Sequence, residues 1–228
     1  MNQIANNLVS QAGQMQIDGI PNDTVQALNP IACVLLGPII QKALYPTFRQ
    51  YSIAFGPIIR MATGFAVMSA AMAVAAGLQK AIYTKGPCYD RPLLCAALGG
   101  GSTPNSISIW AQTPVYFQIA FAEILGFTTL AEYSYSKAPK DMRSLVQALR
   151  QAIAGIGSAV GMAVSPLAVD PEVMYLYTGL ATVMAISALG FWLAFRGNDS
   201  HDNQCDEGSS MQVSSHGQKQ QVTPEART

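Results

Sequence analysis

The sequence has few charged residues, and this deficit excludes several classes of protein. Asp, Glu, Lys and Arg make up 11% of the 228 residues, whereas soluble domains average about 25%. The 13 basic and 13 acidic residues cancel, so the composition predicts no nucleic-acid partner. The two histidines, His201 and His216, lie in a polar C-terminal segment. The apolar part of the sequence therefore has no histidine for catalysis, and it shows no nucleophile–base pair or group of metal ligands, so we expect no enzyme and no metal site.

Long apolar runs are what the sequence has in excess. A helix needs about 18 or more apolar residues to cross a bilayer, and five charge-poor windows reach this length: 24–41, 61–79, 106–136, 151–169 and 173–195. A large soluble helical protein is the alternative, but five such windows would be unusual there. The sequence predicts an all-α membrane protein with five transmembrane helices. Residues 1–17 are too short and too polar to span alone and do not resemble a signal peptide, so we interpret them as a truncated sixth helix.

Lysine and arginine are concentrated in alternate loops between these windows. They follow the first, third and fifth windows: Lys42, Arg49, Arg60, Lys137, Lys140, Arg143 and Arg196. Because cytoplasmic loops carry an excess of basic residues, these loops are predicted to face the cytoplasm. The segment 197–228 continues on that side. It is polar and has no apolar period, so we expect a disordered cytoplasmic tail.

Two cysteines lie in the loop between the second and third windows, on the predicted outer side. Cys88 and Cys95 occur in KGPCYDRPLLC, and the outer compartment is oxidising, which favours a disulfide. A zinc site would need two further ligands that this loop lacks. Cys33 lies inside the first window, where we expect a small packing residue.

The fourth window contains GIGSAVG, which places Gly157 and Gly161 one helical turn apart. Helices in lipid associate through small residues that allow their backbones to approach closely. We therefore expect these two glycines to be helix-packing positions.

Several motifs together resemble one transporter family. NNLVSQAGQM, GIPND, VQALNPI, FGPIIRMATGF, GPCYD and LAEYSYSKAPKDMRSLVQAL occur in this order. They resemble the second half of proton-coupled oligopeptide transporters, the peptide-carrying branch of the major facilitator superfamily, and most of all its fungal members. The resemblance implies twelve helices in two halves. Residues 1–17 would then be the end of helix seven, and residues 24–196 would be helices eight to twelve. The first half would be missing, together with the acidic–basic motif of proton coupling and the basic residues that hold the peptide carboxylate.

Glu123 is a carboxylate in the middle of the third window. Charged residues inside a membrane span are costly and mostly functional, and they face a cavity or a partner. The alternative is a structural ion pair within the bundle. The resemblance implies that Glu123 contacts the amino terminus of the peptide and pairs with a lysine of the first half. It implies that Asn29, in QALNPI, joins the same contact. A helix-capping role is the alternative for Asn29.

Glu132 and Arg150 lie at similar depths on consecutive predicted helices. A hairpin would bring them together, and an intramembrane ion pair would lower the cost of both charges. Arg150 departs from the family, which the resemblance implies has a bulky aromatic or aliphatic residue there. The second interpretation is that Arg150 extends its charge to the membrane interface.

The sequence therefore predicts a truncated proton-coupled transporter of di- and tripeptides, with the half that contacts the peptide amino terminus. One half is not expected to transport alone. The expected partners are small peptides, protons, the lipid bilayer and the missing N-terminal half, with no cofactor beyond the proton. The expected location is the plasma membrane. The alternative is a non-transporting membrane protein that binds or regulates a full-length transporter.

Overall fold

The computed structural model of the chain describes residues 2–16, 22–50, 56–85, 89, 105–164 and 172–195. These parts are almost entirely helical. In chain order the helices are α1 (Asn2–Ala12), α2 (Asn22–Gln26), α3 (Leu28–Ile39), α4 (Tyr45–Gln50), α5 (Pro57–Thr84), α6 (Thr113–Glu123), α7 (Thr129–Lys137), α8 (Arg143–Val164) and α9 (Val173–Phe195).

Four helical segments are long and apolar enough to cross a membrane: Thr24–Leu44, Pro57–Thr84, Ile109–Lys137 and Val173–Phe195. They correspond to four of the five predicted windows. The remaining one, the fourth window 151–169, begins within α8, but α8 does not reach the same apolar length among the described residues. Arg143, Gln147 and Arg150 occupy its first turns, and the apolar residues 165–169 lie outside the described ranges. The predicted tail, 197–228, also lies outside them.

Helix α5 organises the core. One face of α5 is buried through Met68, Ala71, Met72 and Ala75, in a single hydrophobic cluster with residues of α1, α6 and α9: Leu8, Ala12, Val115, Tyr116, Ile119, Ala122, Val173, Tyr177 and Ala181. The Ser69 hydroxyl also donates a 2.7 Å hydrogen bond to the Ala181 carbonyl oxygen of α9. Small residues and side chain–backbone hydrogen bonds are the contacts that hold helices together in lipid.

Two wide π-helical turns interrupt the first and third spans. The first, Ile40–Leu44, follows Pro38, which lies inside α3. Proline has no N–H and its ring clashes with the carbonyl four residues earlier, so a helix distorts around it. The second, Ile124–Thr128, begins directly after Glu123 and joins α6 to α7. Turns of this kind are frequent at functional sites.

A short parallel strand pair is the exception to the predicted all-α structure. Strand β1 (Met15–Gln16) pairs with β2 (Asn105–Ser108), with Met15 opposite Asn105. The backbone N–H of Asn105 donates to the Gln14 carbonyl oxygen at 3.0 Å. The pair fastens the end of α1 to the segment that leads into α6.

A close helix approach lies at Gly64, a position that the sequence analysis did not single out. A Cβ atom there would lie 2.8 Å from the Gly126 nitrogen and 3.0 Å from the Ala122 carbonyl oxygen. Helix α5 therefore packs directly on the backbone of the second π turn. The predicted contact at Gly157 is not found: among the described atoms, nothing lies within 4 Å of a Cβ built there. This part of α8 turns most of its side chains outward, and Gly161 is half-buried.

Candidate functional site

Glu123 and Asn29 meet between α6 and α3. The Asn29 Nδ2 atom donates to Oε2 of Glu123 at 3.1 Å, although the two residues are 94 positions apart. Cys33, one turn further along α3, places its thiol Sγ 3.8 Å from the same oxygen. Residues four apart share one face of a helix. Helix α3 therefore presents an amide and a thiol to one carboxylate oxygen. Cys33 is thus a polar contact of Glu123 as well as the small packing residue that was predicted.

The structure also bears on the two alternative roles. Helix α3 has Ala27 at its N-cap and no side-chain capping bond, so the Asn29 side chain binds Glu123 instead of capping the helix. Within the described ranges, no lysine or arginine lies in ion-pair contact with Glu123. A structural ion pair for Glu123 is therefore not found in this part of the chain.

Two acceptor oxygens of this pair are left for a ligand. The hydrogen bonds found at Glu123 both end on Oε2, and among the described atoms the Asn29 Oδ1 is buried without a hydrogen-bond donor. A buried acceptor without a donor costs free energy. An ammonium group offers three donors and a positive charge, and it would satisfy both residues. The site thus has the chemistry of a receptor for a cationic N–H donor.

The structure does not bring Glu132 and Arg150 together. Arg150 donates through Nε to Gln147 at 3.0 Å, and its guanidinium carbon lies 4.7 Å from the centre of the Phe127 ring. Leu130 and Ser134 of α7 line the same region as Arg150. Glu132 lies two residues from each of them, which places it on the opposite side of the helix, and it is exposed. The predicted ion pair was wrong because it rested only on the similar depths of Glu132 and Arg150 in the membrane. The side of the helix on which each residue lies also decides whether they meet.

A buried network of amide side chains is the polar feature that the sequence did not predict. Gln11 of α1 donates to Gln79 of α5 at 2.8 Å, and Gln79 donates to Gln14 at 2.7 Å. Gln112 donates to Gln11 at 2.9 Å and to the Leu8 carbonyl oxygen at 2.8 Å. All four glutamines are at most 1% exposed. One feature of the sequence could have indicated this network: Gln79 and Gln112 each lie inside a long apolar run.

The remaining predicted positions have less structural information. Cys88 and Cys95 lie outside the described residues, so the disulfide stays a prediction. Among the residues that the structure does describe, no group of three or more His, Cys, Asp or Glu side chains is placed to hold a metal ion.

Comparisons with known proteins assign the fold first. It is similar to the crystal structure of the POT family transporter PepTSo, with a TM-score of 0.64 and 21% identity, covering 86% of this chain and 38% of that one. The crystal structure of an auto-inhibited POT family peptide transporter gives the same TM-score with 23% identity, covering 86% of this chain and 37% of that chain. The fold is therefore shared with these two solved transporters, and the predicted helical membrane class is confirmed.

The sequence comparison then gives the family. The POT family model matches residues 1–189, and the chain belongs to the POT family. The peptide transporter imqD of Aspergillus flavus is 53% identical over 204 residues, which cover 90% of this chain and 50% of imqD. The peptide transporter PTR2 of Saccharomyces cerevisiae is 42% identical over 188 residues, 82% of this chain and 30% of PTR2. The chain thus spans half the length of imqD and less of PTR2, and both relatives are transporters, not enzymes.

Proposed function

We propose that this chain supplies the half of a proton-coupled di- and tripeptide carrier that binds the amino terminus of the peptide. In this proposal residues 1–17 are the end of helix seven, residues 24–196 are helices eight to twelve, and the first half is supplied from outside this sequence. The carrier lies in the plasma membrane with its C-terminal tail in the cytoplasm. Family membership supports the transport of peptides, and the paired Glu123 and Asn29 support the amino-terminal contact.

The observation that carries the proposal is the 3.1 Å hydrogen bond between Asn29 and Glu123. It orients the carboxylate and leaves acceptors on both residues for the peptide ammonium. A hydrogen bond that involves a charged group contributes about 1.5–3 kcal/mol, against about 1 kcal/mol for a neutral pair. The same site would therefore favour peptides with a free amino group over peptides in which it is blocked.

One half should not transport by itself. Carriers of this type bind substrate between their two halves near the membrane midplane, so α3, α6 and α7 would form one wall of the site. The acidic–basic motif of proton coupling would lie in the other half. No cofactor beyond the proton is required in this scheme.

The test compares peptide uptake by cells that lack peptide transporters. Residues 1–228 alone should give background uptake, whereas residues 1–228 fused to the first half of imqD should give saturable uptake that rises with the proton gradient. In the fusion, Glu123→Gln should weaken the apparent affinity for a free dipeptide by about tenfold, because a charged contact becomes a neutral one. N-acetylated dipeptides, which have no ammonium, should change little.

Glu132→Gln is the matched control, since Glu132 is exposed on another face of the same span and should leave uptake unchanged. If Glu123→Gln lowers the uptake of free and acetylated peptides equally, Glu123 has a structural role and the amino-terminal site is wrong. Saturable uptake by residues 1–228 alone would contradict the half-site. If the fusion does not transport and residues 1–228 instead alter the activity of a co-produced full-length transporter, the chain is a regulator.

A further inference from the structure

An open-sided cavity lies between α7 and α8 and has a volume of about 390 Å³. Of the side chains that line it, Ser134 is polar, Arg150 is charged and the others are apolar. The apolar lining consists of Phe127, Leu130, Val146, Leu149, Ile153 and Ala154. Leu149 and Ile153 are 60% and 61% exposed. This apolar surface is therefore largely uncovered by the described part of the chain.

The Arg150 guanidinium is held in this cavity but not neutralised. Its Nε donates to the Oε1 atom of Gln147 at 3.0 Å, and its central carbon lies 4.7 Å from the centre of the Phe127 ring. Its Nη1 is buried, and among the described atoms it has no hydrogen-bond acceptor. A buried donor without an acceptor is costly, and more so when it is charged. The guanidinium therefore calls for an acceptor, preferably an anion, that the described residues do not supply.

The depth of the guanidinium argues against a lipid phosphate as this acceptor. Arg150 lies seven residues after Arg143, the first residue of α8. Phe127, on which it stacks, lies ten residues before Lys137, the last residue of α7. At ~1.5 Å per residue these positions are ~10 Å and ~15 Å from the helix ends. Lipid headgroups lie at the edges of a hydrocarbon layer that is ~30 Å thick, so a phosphate would have to leave its normal depth to reach Arg150.

The cavity lies on the side of the span that carries Glu123. Starting from Glu123, the residues Phe127, Leu130 and Ser134 follow at intervals of four, three and four, which is the spacing of one helix face. In the proposed function this face is turned towards the first half of the carrier. The chain covers 50% of imqD, so a first half of similar length would cover the face. A carboxylate there could bind the planar guanidinium through parallel hydrogen bonds.

We propose that the cavity between α7 and α8 is a docking surface for the first half of the carrier, and that an Asp or Glu side chain of that half binds Arg150. The proposal rests on the proposed function and deepens it, because it adds an ion pair to the contact between the halves. Leu149 and Ile153 pack on apolar side chains around the pair and keep water and lipid away from it. Breaking a buried pair is strongly destabilising, since one charge is left without a partner.

The experiment joins the two partners covalently. Residues 1–228 with the substitution Arg150→Lys are produced together with the first half of imqD as a separate chain, and the membranes are treated with dicyclohexylcarbodiimide. This apolar reagent activates a carboxylic acid as an O-acylisourea. The introduced amine attacks the activated carbonyl, so that an amide forms and dicyclohexylurea leaves with the oxygen atom. Mass spectrometry should find both chains in one product, linked between position 150 and an Asp or Glu of the first half.

Gln151→Lys is the matched control for the cross-link. Gln151 is the next residue of α8 and is exposed, but it lies about 100° away around the helix axis and does not line the cavity. The same treatment should give no product of both chains with this variant.

Arg150→Gln gives a second measurement that does not depend on the cross-link. In residues 1–228 alone it removes a charge that has no partner, so thermal unfolding should occur at the same or a higher temperature. In the complex with the first half it breaks the ion pair, so unfolding should occur at a lower temperature. A change of the same sign and size in both samples would contradict the proposal.

The two proposals fail in different ways. If the halves co-purify and take up dipeptides, but position 150 gives no link or gives no more than Gln151→Lys, the ion pair is wrong and the proposed function stands. A link from position 150 in halves that do not transport supports the ion pair and contradicts the carrier, and halves that do not assemble overturn both. A link within residues 1–228, a link between two copies of them, or phospholipid retained only when Arg150 is present assigns the cavity to another occupant and overturns the docking surface.

Discussion

Glu123 illustrates how the cost of one charge constrains its surroundings. A carboxylate at the membrane centre costs about 2.5–3.5 kcal/mol on insertion scales. The hydrogen bond from Asn29 contributes about 1.5–3 kcal/mol, and the Cys33 thiol is a weak donor that adds little. These contacts roughly offset the cost of the charge without a large surplus. A cationic ligand would therefore bind to a carboxylate that is already oriented but not neutralised.

Gly64 is a residue at which the bundle has no room for a larger side chain. Gly64→Ala places a methyl group 2.8 Å from the Gly126 nitrogen and 2.9 Å from its Cα atom, both of which belong to backbone and cannot turn away. Overpacking of this kind costs about 1–3 kcal/mol. We expect thermal unfolding in detergent, followed by circular dichroism, to occur about 2–12 °C lower, since 1 kcal/mol corresponds to about 2–4 °C at this chain length.

Gly77→Ala is the control for this substitution. Gly77 lies on the same helix, and among the described residues nothing is within 4 Å of a Cβ built there. Alanine is the better helix former by about 0.8–1 kcal/mol, so this variant should be unchanged or more stable. Equal losses for the two variants would show that the contact between Gly64 and Gly126 does not limit packing.

At the scale of elements, the glutamine network explains how the short helix α1 stays in place. Helix α1 has 11 residues, too few to span a bilayer alone. It buries Leu8 and Ala12 in the core, and Gln11 bonds both α5 and the segment before α6. Buried amides that pair with one another hold elements in one arrangement, and a buried amide is costly when its partner is lost. The polarity that makes α1 a poor span is thus what attaches it to the bundle.

Gln79→Met tests this attachment, because methionine keeps the length of the side chain and removes both hydrogen-bonding groups. Gln14 loses the donor at 2.7 Å and Gln11 loses the acceptor at 2.8 Å. Polar contacts between membrane helices average about 0.6 kcal/mol, and an unpaired buried group costs up to about 3 kcal/mol. We expect thermal unfolding to occur at least about 2 °C lower.

Hydrogen exchange measured by mass spectrometry should show faster exchange in α1 for the same variant. Gln151→Met serves as the comparison, since Gln151 is exposed on α8 and should change neither quantity. Unaltered exchange of α1 in Gln79→Met would mean that apolar contacts alone hold this helix.

At the scale of the whole molecule, the loop that carries Cys88 and Cys95 tests the orientation of the chain. If this loop faces the oxidising side, mass spectrometry of the chain made in a eukaryotic host, digested without reduction, should find the two cysteines in one linked peptide. A Cys88→Ser variant should leave Cys95 open to alkylation. Free thiols at both positions in the unaltered chain would contradict the predicted disulfide and weaken the predicted orientation.

The sequence by itself determined the membrane class and most of the spans, because the length of an apolar run reports directly on whether a helix can cross lipid. It also predicted Glu123 and Asn29 as candidate site residues, through the resemblance of their surrounding motifs to the family. That the two side chains are in contact could be expected only from the family, since 94 residues separate them and no periodicity relates one span to another.

Only the tertiary structure decided which face each helix turns to which neighbour. In the structure Glu132 and Arg150 lie on different sides of their helices, and Arg150 lines an apolar cavity with Phe127. The close helix contact lies at Gly64 and not at Gly157. It also turned the glutamines of α1 inward, where the sequence shows only a polar segment. The physical reason is that composition and period describe one helix at a time. The partner of a polar group in lipid depends on the rotation and register of two helices, which packing between them sets.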